Sequence, residues 1–217
     1  MEVEVWSDIV CPWCYIGEHR LRSVIASEGR DDVVVVGRSF ELDPTAAPST
    51  GRTLPELLAS KYGLTLEEAR AANSHVTAVA ASEGLEYRLE HARPGNTFPA
   101  HRILQLAAQK GRREVVAERF FRAYFTEGEA VGEPGTVRRL ALEGGLAVGD
   151  VDRVLASEEF AEEVRREERR ARELGARGVP FFRFPDGLAI SGAQPAEVFR
   201  AALRRFPPSA PPRAPVG

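Results

Sequence analysis

The two cysteines constrain this chain more than any other feature of its sequence. They are the only cysteines among 217 residues, and they lie in the run Cys11-Pro12-Trp13-Cys14. The apolar run at residues 3–10 predicts a strand before them, and residues 15–27 predict a helix after them. Pro12 suits the first position of that helix, because its φ is already helical and its missing N–H would have no partner there. The pair is therefore predicted to lie at a strand-to-helix junction.

This position predicts different roles for the two thiols. The free N–H groups and the positive end of the helix dipole face Cys11 and favour its thiolate form. Cys14 follows almost one turn later on the same side of the helix, within reach of Cys11 but deeper. The sequence therefore predicts that Cys11 is the nucleophile and that Cys14 resolves a mixed disulfide.

Three other interpretations of the cysteine pair are a permanent disulfide, inert core residues and half of a zinc site. A disulfide that closes so short a loop would restrain the unfolded chain little. A zinc site takes about four ligands, and the histidines show no matching spacing. These histidines are His19, His75, His91 and His101. We therefore favour a redox-active dithiol and predict no metal site.

Composition indicates an ordinary soluble globular protein, with 43% hydrophobic and 28% charged residues and a net charge of -3. Arginine alternates with glutamate in residues 162–170, as on an ion-paired helix face rather than a phosphate-binding track, so we predict no nucleic-acid partner. No apolar run approaches the roughly 20 residues that span a bilayer, and the first residues lack the features of a signal peptide. We expect a cytoplasmic protein without a membrane partner, in which a cysteine pair cycles rather than forming a permanent bridge.

The order of predicted elements indicates the fold class. Residues 1–50 predict β-α-β, residues 51–175 are helical throughout, and residues 176–206 predict a β-hairpin followed by a helix. Without the helical segment, a four-stranded mixed sheet with helices on its faces remains. We therefore predict an α/β, thioredoxin-like fold, discontinuous in sequence, with a large all-helical insertion. The tail at residues 207–217 holds five prolines and is predicted to be disordered.

Val179-Pro180 is the second predicted part of the site. A proline at the start of a strand after Gly178 fits a cis peptide bond. In the predicted fold this strand begins beside the first helix, so Pro180 would face the cysteines, and the backbone of Val179 would be free to pair with an extended substrate. A proline that merely starts an edge strand is the alternative. The cysteine run and the element order together favour the cis role.

Several short motifs together resemble those of the DsbA family, and within it the FrnE-like subgroup, over about residues 3–206. The resemblance implies thiol–disulfide oxidoreductase activity on protein or small-molecule thiols and disulfides. It also implies that Cys11 is the nucleophile, Cys14 the resolving thiol and Pro180 the cis-proline, with Pro12 and Trp13 beside the substrate. The motifs are Cys11 to Gly17, Gly95 to Phe98, Ala100 to Arg102, Gly178 to Phe182 and Ser191 to Gln194.

Related isomerases and transferases keep other functions open. The 2-hydroxychromene-2-carboxylate isomerases and kappa-class glutathione transferases belong to the same broad family and handle glutathione with a single serine or cysteine. Cys14 favours disulfide exchange, with glutathione as a candidate co-substrate and no other cofactor. A non-enzymatic peptide-binding or chaperone-like module is a third alternative, and the chain is either a monomer or a homodimer.

The helical insertion is predicted to cover one side of the dithiol. We expect Asn96, Phe98 and His101 to line the resulting cleft and contact substrate, although a hydrogen-bonded helix histidine is the alternative for His101. Asp8 and Glu18 lie near the cysteines in sequence. For both, the alternatives are action on the Cys11 thiol or a helix-capping or solvated position.

Overall fold

The computed structural model describes residues 1–208, in which four strands and nine helices follow the predicted order. The strands are β1 (Glu2–Ser7), β2 (Val34–Ser39), β3 (Phe181–Arg183) and β4 (Ala189–Ser191). The helices are α1 (Pro12–Ser27), α2 (Leu54–Tyr62), α3 (Leu66–Ser82), α4 (Phe98–Gln109), α5 (Arg113–Phe125), α6 (Pro134–Glu143), α7 (Val148–Leu155), α8 (Ala161–Glu173) and α9 (Ala196–Arg204). None of these helices is both long and apolar enough to cross a membrane.

The strands form one mixed sheet in the order β2-β1-β3-β4. β1 runs parallel to β2, with Val5 opposite Gly37, and antiparallel to β3, with Val5 opposite Phe182. β3 and β4 form the predicted hairpin, and its turn is closed by the Leu188 N–H, which donates to Asp186 Oδ1 at 2.8 Å. The predicted α/β fold with a mixed sheet is confirmed.

Alternating side chains of β1 pack against different layers. Val3 and Val5 pack against α1 and α9, which lie together on one face of the sheet. Trp6 belongs to the opposite face, where α8 packs and where the indole Nε1–H donates to the Glu167 carbonyl at 2.9 Å. The sheet is thus covered on both sides, and the carboxyl end of β1 leads into the cysteine run.

Helix α8 differs from its prediction at its start. The charge pattern predicts a helix from Ser157, but α8 begins at Ala161 because Phe160 adopts a left-handed conformation with φ 65°. The sequence division places α8 in the insertion, at residues 51–175. In the structure it contacts β2 and α4 alike, so it joins the sheet to the other helices.

The insertion has an apolar core that continues into the cysteine run. One cluster of buried side chains includes Phe120 and Leu140 of the insertion together with Ile9, Cys11 and Cys14. The helices of the insertion and the dithiol therefore share a packed interior. The predicted disordered tail lies outside the described residues, apart from residues 207 and 208.

Candidate functional site

The cysteine run is held at the start of α1. Cys11 is the N-cap, with an extended backbone at φ -88° and ψ 111°, and Pro12 begins the helix. The Cys14 N–H donates to the Cys11 carbonyl at 3.0 Å. Both cysteines are free thiols in this structure, and Cys11 is 4% exposed whereas Cys14 is fully buried. The predicted difference in depth between the two thiols is therefore present.

Burial separates the two thiols chemically as well. Desolvation raises the pKa of the Cys14 thiol well above its ordinary value, and the neighbouring Cys11 raises it further. Cys14 therefore stays protonated near neutral pH. This arrangement suits a thiol that reacts second, after a bond to Cys11 has formed.

The loop before β3 contacts the dithiol directly. The Val179–Pro180 peptide bond is cis, and the Cys11 thiol donates to the Val179 carbonyl at 3.6 Å. Helix α1 approaches this loop closely because residue 17 is glycine: a Cβ there would lie 3.0 Å from Pro180 Cγ. The Pro180 carbonyl accepts from the Gly192 N–H at 2.8 Å, which fixes the loop. The Val179 carbonyl accepts from Cys11 and has a second lone pair, so pairing of the Val179 backbone with an extended substrate stays a prediction.

A cavity of about 730 Å³ opens beside Cys11. Pro12, Trp13 and Val179 lie on its wall with Cys11, whereas Cys14 and Pro180 do not. The opposite wall comes from α2 and α3. The apolar side chains that these two helices contribute to the wall are Leu54, Leu57, Leu58, Tyr62, Ala72 and Val76. Only Cys11 of the dithiol therefore faces this space.

The prediction that Asn96, Phe98 and His101 line the cleft needs correction, because none of them lies on the cavity wall. Asn96 Oδ1 accepts from the Phe98 N–H at 3.0 Å, so this side chain orders the start of α4. The Arg165 guanidinium lies over the Phe98 ring, with Arg165 Cζ 4.2 Å from the centre of the ring. His101 is buried behind Asp8. A substrate-binding role for the three residues stays a prediction without a cavity contact to support it.

Asp8 lies on the cavity wall and is the centre of a buried polar group. Its Oδ1 is 3.3 Å from His101 Nε2, and both side chains are 1% exposed. Its Oδ2 accepts from the Leu42 N–H at 2.7 Å, and its carbonyl accepts from the Cys11 N–H at 3.0 Å. The Asp8 side chain is thus neither solvated nor a helix cap. Through its backbone carbonyl and its side chain together, Asp8 links the cysteine run to α4.

Two further carboxylates act on this region. Burial raises the pKa of Glu41, against the opposing effects of His101 and Arg165. Burial also raises the pKa of Glu18, whose charge in turn raises the pKa of Cys14. Glu18 lies in a separate pocket with Tyr15 and away from the cavity. Sequence reasoning missed Glu41, since no local pattern marks a residue that joins the site only through tertiary contacts.

The sequence predicted that the helical insertion covers one side of the dithiol, but it did not identify α2 and α3 as the helices that form the cavity wall. Their amphipathic pattern predicts helices but carries no signal for which part of the chain they face.

Across residues 1–208, no cluster of three or more His, Cys, Asp or Glu side chains has the arrangement of a metal site.

Comparisons with known proteins agree with this geometry. A family model described as a DSBA-like thioredoxin domain matches residues 2–204. A probable DsbA oxidoreductase from Streptomyces coelicolor is 42% identical in sequence, with a TM-score of 0.91 over 99% of this chain and 93% of that one. The FrnE-like subgroup stays a prediction.

Two more distant structures share the fold. A 2-hydroxychromene-2-carboxylate isomerase is 15% identical, with a TM-score of 0.73 over 95% of this chain and 96% of that one. The cytosolic disulfide reductase DsbM from Pseudomonas aeruginosa is 19% identical, with a TM-score of 0.65 over 94% of this chain and 98% of that one. At these identities the similarity shows a shared fold only. The same fold occurs in an isomerase and in a disulfide reductase, so it does not by itself identify the reaction.

Proposed function

Since the chain belongs to the DSBA-like thioredoxin domain family, we propose that it is a thiol–disulfide oxidoreductase in which Cys11 attacks and Cys14 resolves. One observation carries the proposal. Cys11 occupies the N-cap position of α1, contacts the Val179 carbonyl and lines a cavity, while Cys14 lies buried one turn later with a raised pKa. A single-cysteine mechanism gives no role to Cys14, so the glutathione-handling alternatives account for less of this arrangement.

The reaction consists of two exchanges. The Cys11 thiolate attacks one sulfur of a substrate disulfide, the substrate S–S bond breaks, and one thiolate leaves. Cys14 then loses its proton and attacks the Cys11 sulfur, which releases the second substrate thiolate and forms the Cys11–Cys14 disulfide. The substrate gains two electrons and the dithiol loses two. A small thiol such as glutathione is the proposed reductant that restores the dithiol, and the cytoplasm is its proposed setting.

Cysteine substitutions test this proposal. In an insulin-reduction assay supplied with dithiothreitol, Cys11→Ser should abolish the protein's contribution, because the attacking sulfur is gone. Cys14→Ser should instead trap a mixed disulfide at Cys11, visible as a mass increase under non-reducing conditions. Full activity of Cys11→Ser would refute the proposal. Glutathione conjugation that survives Cys14→Ser would favour a transferase.

The raised pKa of Cys14 predicts selective alkylation. Near neutral pH, iodoacetamide should label Cys11 and leave Cys14 unmodified, because Cys14 is a buried thiol rather than a thiolate. Because the pKa of Cys14 is higher in the folded than in the unfolded protein, its proton contributes to stability at every pH below the unfolded-state pKa. This contribution is lost as the pH rises through the folded-state pKa. Cys14 labelling should therefore require a pH well above that at which an ordinary cysteine ionises. Peptide mass spectrometry measures both sites, and equal labelling near neutral pH would contradict the assignment.

A further inference from the structure

The cavity beside Cys11 has the dimensions of a small-molecule site. Its volume of about 730 Å³ lies within the roughly 300–1,000 Å³ range typical of ligand pockets. Cys11 is almost fully buried and lies on the cavity wall, so the little surface that it exposes faces this space. A disulfide that enters the cavity therefore meets Cys11 and not Cys14.

The cavity wall is largely apolar. Leu57 and Leu58 of α2 and Val76 of α3 face the space that Trp13 and Val179 border on the dithiol side. Two large apolar residues on the wall, Leu42 and Tyr62, are also exposed to solvent, at 41% and 63%. Apolar surface thus extends from the cavity to the molecular surface, which favours a ligand with an apolar body.

Two cations and one amide on the cavity wall are available to donate to a ligand. Arg52 and Lys61 form no ion pair within residues 1–208, and the buried Asn73 Nδ2 has no hydrogen-bond partner among those residues. The two carboxylates on the wall are already bonded. Asp8 lies within hydrogen-bond distance of His101 Nε2 and accepts from the Leu42 N–H, and Asp43 accepts from the Thr45 N–H and hydroxyl. Arg52, Lys61 and Asn73 are therefore groups on the wall that can still donate to a ligand, and such charged and amide donors suit an anion.

We propose that the substrate of this dithiol is a low-molecular-weight disulfide with an apolar body and an anionic group. Its apolar body occupies the space between Trp13 and the α2–α3 wall, and its anion lies towards Arg52 and Lys61. This inference rests on the proposed function, because it names the substrate of the same two-exchange reaction. One small disulfide yields two thiolates for each dithiol oxidised.

Charge selectivity tests the proposal. The pre-reduced protein is mixed in a stopped-flow instrument with dithiobis(nitrobenzoate), which is aromatic and anionic, or with dithiodipyridine, which is aromatic and neutral. The double substitution Arg52→Glu and Lys61→Glu should lower the rate with the anionic probe about tenfold relative to the neutral one. Arg204→Glu, at an exposed position on α9, is the matched control and should leave that ratio unchanged. An unchanged ratio in the double variant would overturn the anionic assignment.

Filling the cavity tests the size of the substrate. Ala72 and Ala71 are adjacent exposed residues of α3, but only Ala72 lies on the cavity wall. Ala72→Trp should slow the reaction with dithiobis(nitrobenzoate) about tenfold, because an indole occupies the space of the ligand. Ala71→Trp should leave that rate within about twofold. Insulin reduction should be changed by neither substitution.

The outcomes separate this inference from the function beneath it. If Ala72→Trp slows insulin reduction as much as the small disulfide, the cavity serves a protein substrate and the small-molecule proposal fails. If both alanine variants react like the unsubstituted protein, the cavity is not the binding site and the proposal fails as well. Both results leave disulfide exchange at Cys11 intact. A protein that exchanges no disulfide at all would instead refute the proposed function itself.

Discussion

The helical segment contains two parts that are built differently. Helices α2 and α3 bury very little: Pro55 is the buried residue of α2, and Ala69 and Ala80 are those of α3. Helix α5, by contrast, buries a whole face that includes Phe120 and Tyr124. The first pair forms a wall of the cavity, and α4–α7 form the core that continues to the dithiol. Cys11 and Cys14 thus lie between a packed region and a thinly packed one.

Local interactions compensate for the small burial of α2 and α3. Both helices begin with a capping box, at Thr53–Glu56 and at Thr65–Glu68. In the second box the Glu68 N–H donates to Thr65 Oγ1 at 3.2 Å, and the Thr65 N–H donates to Glu68 Oε2 at 2.8 Å. A pair held by caps rather than by a core opens locally at low free energy. The comparison indicates that the α2–α3 wall of the cavity can change its position more easily than the packed helices can.

Truncating a buried side chain in the packed region, α4–α7, should cause the largest loss of stability. Phe120 is fully buried in α5, so Phe120→Ala should lower the free energy of unfolding by about 3–5 kcal/mol. Val115→Ala on the same helix removes a side chain that is 53% exposed and should change stability by less than about 0.5 kcal/mol. Chemical denaturation measures both. A cost for Phe120→Ala as small as that for Val115→Ala would remove the contrast between the two regions.

The contact between α1 and Pro180 is expected to behave like the packed region. An alanine Cβ at position 17 would lie 3.0 Å from Pro180 Cγ and 3.1 Å from Phe182 Cζ. Gly17→Ala should therefore cost about 1–3 kcal/mol and slow disulfide exchange, since the Val179 carbonyl moves relative to Cys11. Gly135→Ala is the control, because a Cβ there meets no atom within 4 Å. Wild-type stability and activity for Gly17→Ala would show that this side of the site is loosely packed too.

A substitution in the thinly packed helices α2 and α3 should have the smallest and most local effect on stability. Thr65→Ala removes one side of a capping box and should cost about 1 kcal/mol. The loss should appear as faster hydrogen exchange in α3, with little change in α5. Thr77→Ala, within α3 but away from its cap, is the matched control and should leave exchange in α3 near its original rate. Equal acceleration in α3 and α5 would mean that the two parts unfold as one unit.

Local sequence patterns were sufficient for most of the fold. Apolar and β-branched runs predict the four strands, and Thr65 with Glu68 predicts the cap of α3, because these signals act between neighbours in the chain. The start of α8 was the exception. Phe160 has a left-handed conformation and packs in the core, and the charge pattern that predicted the helix carries no signal for either.

For the site, the sequence by itself determined the dithiol. The spacing of Cys11 and Cys14 and the helix start at Pro12 are local properties, and they predict two thiols of different depth. Tertiary structure decided what surrounds them. Asn96 and Phe98 turn away from the cavity, while α2 and α3 supply its far wall, because the packing of distant elements determines which surface faces Cys11. Residue spacing fixes the chemistry of a local pair, whereas the shape and charge of its binding space arise from long-range contacts that no local pattern encodes.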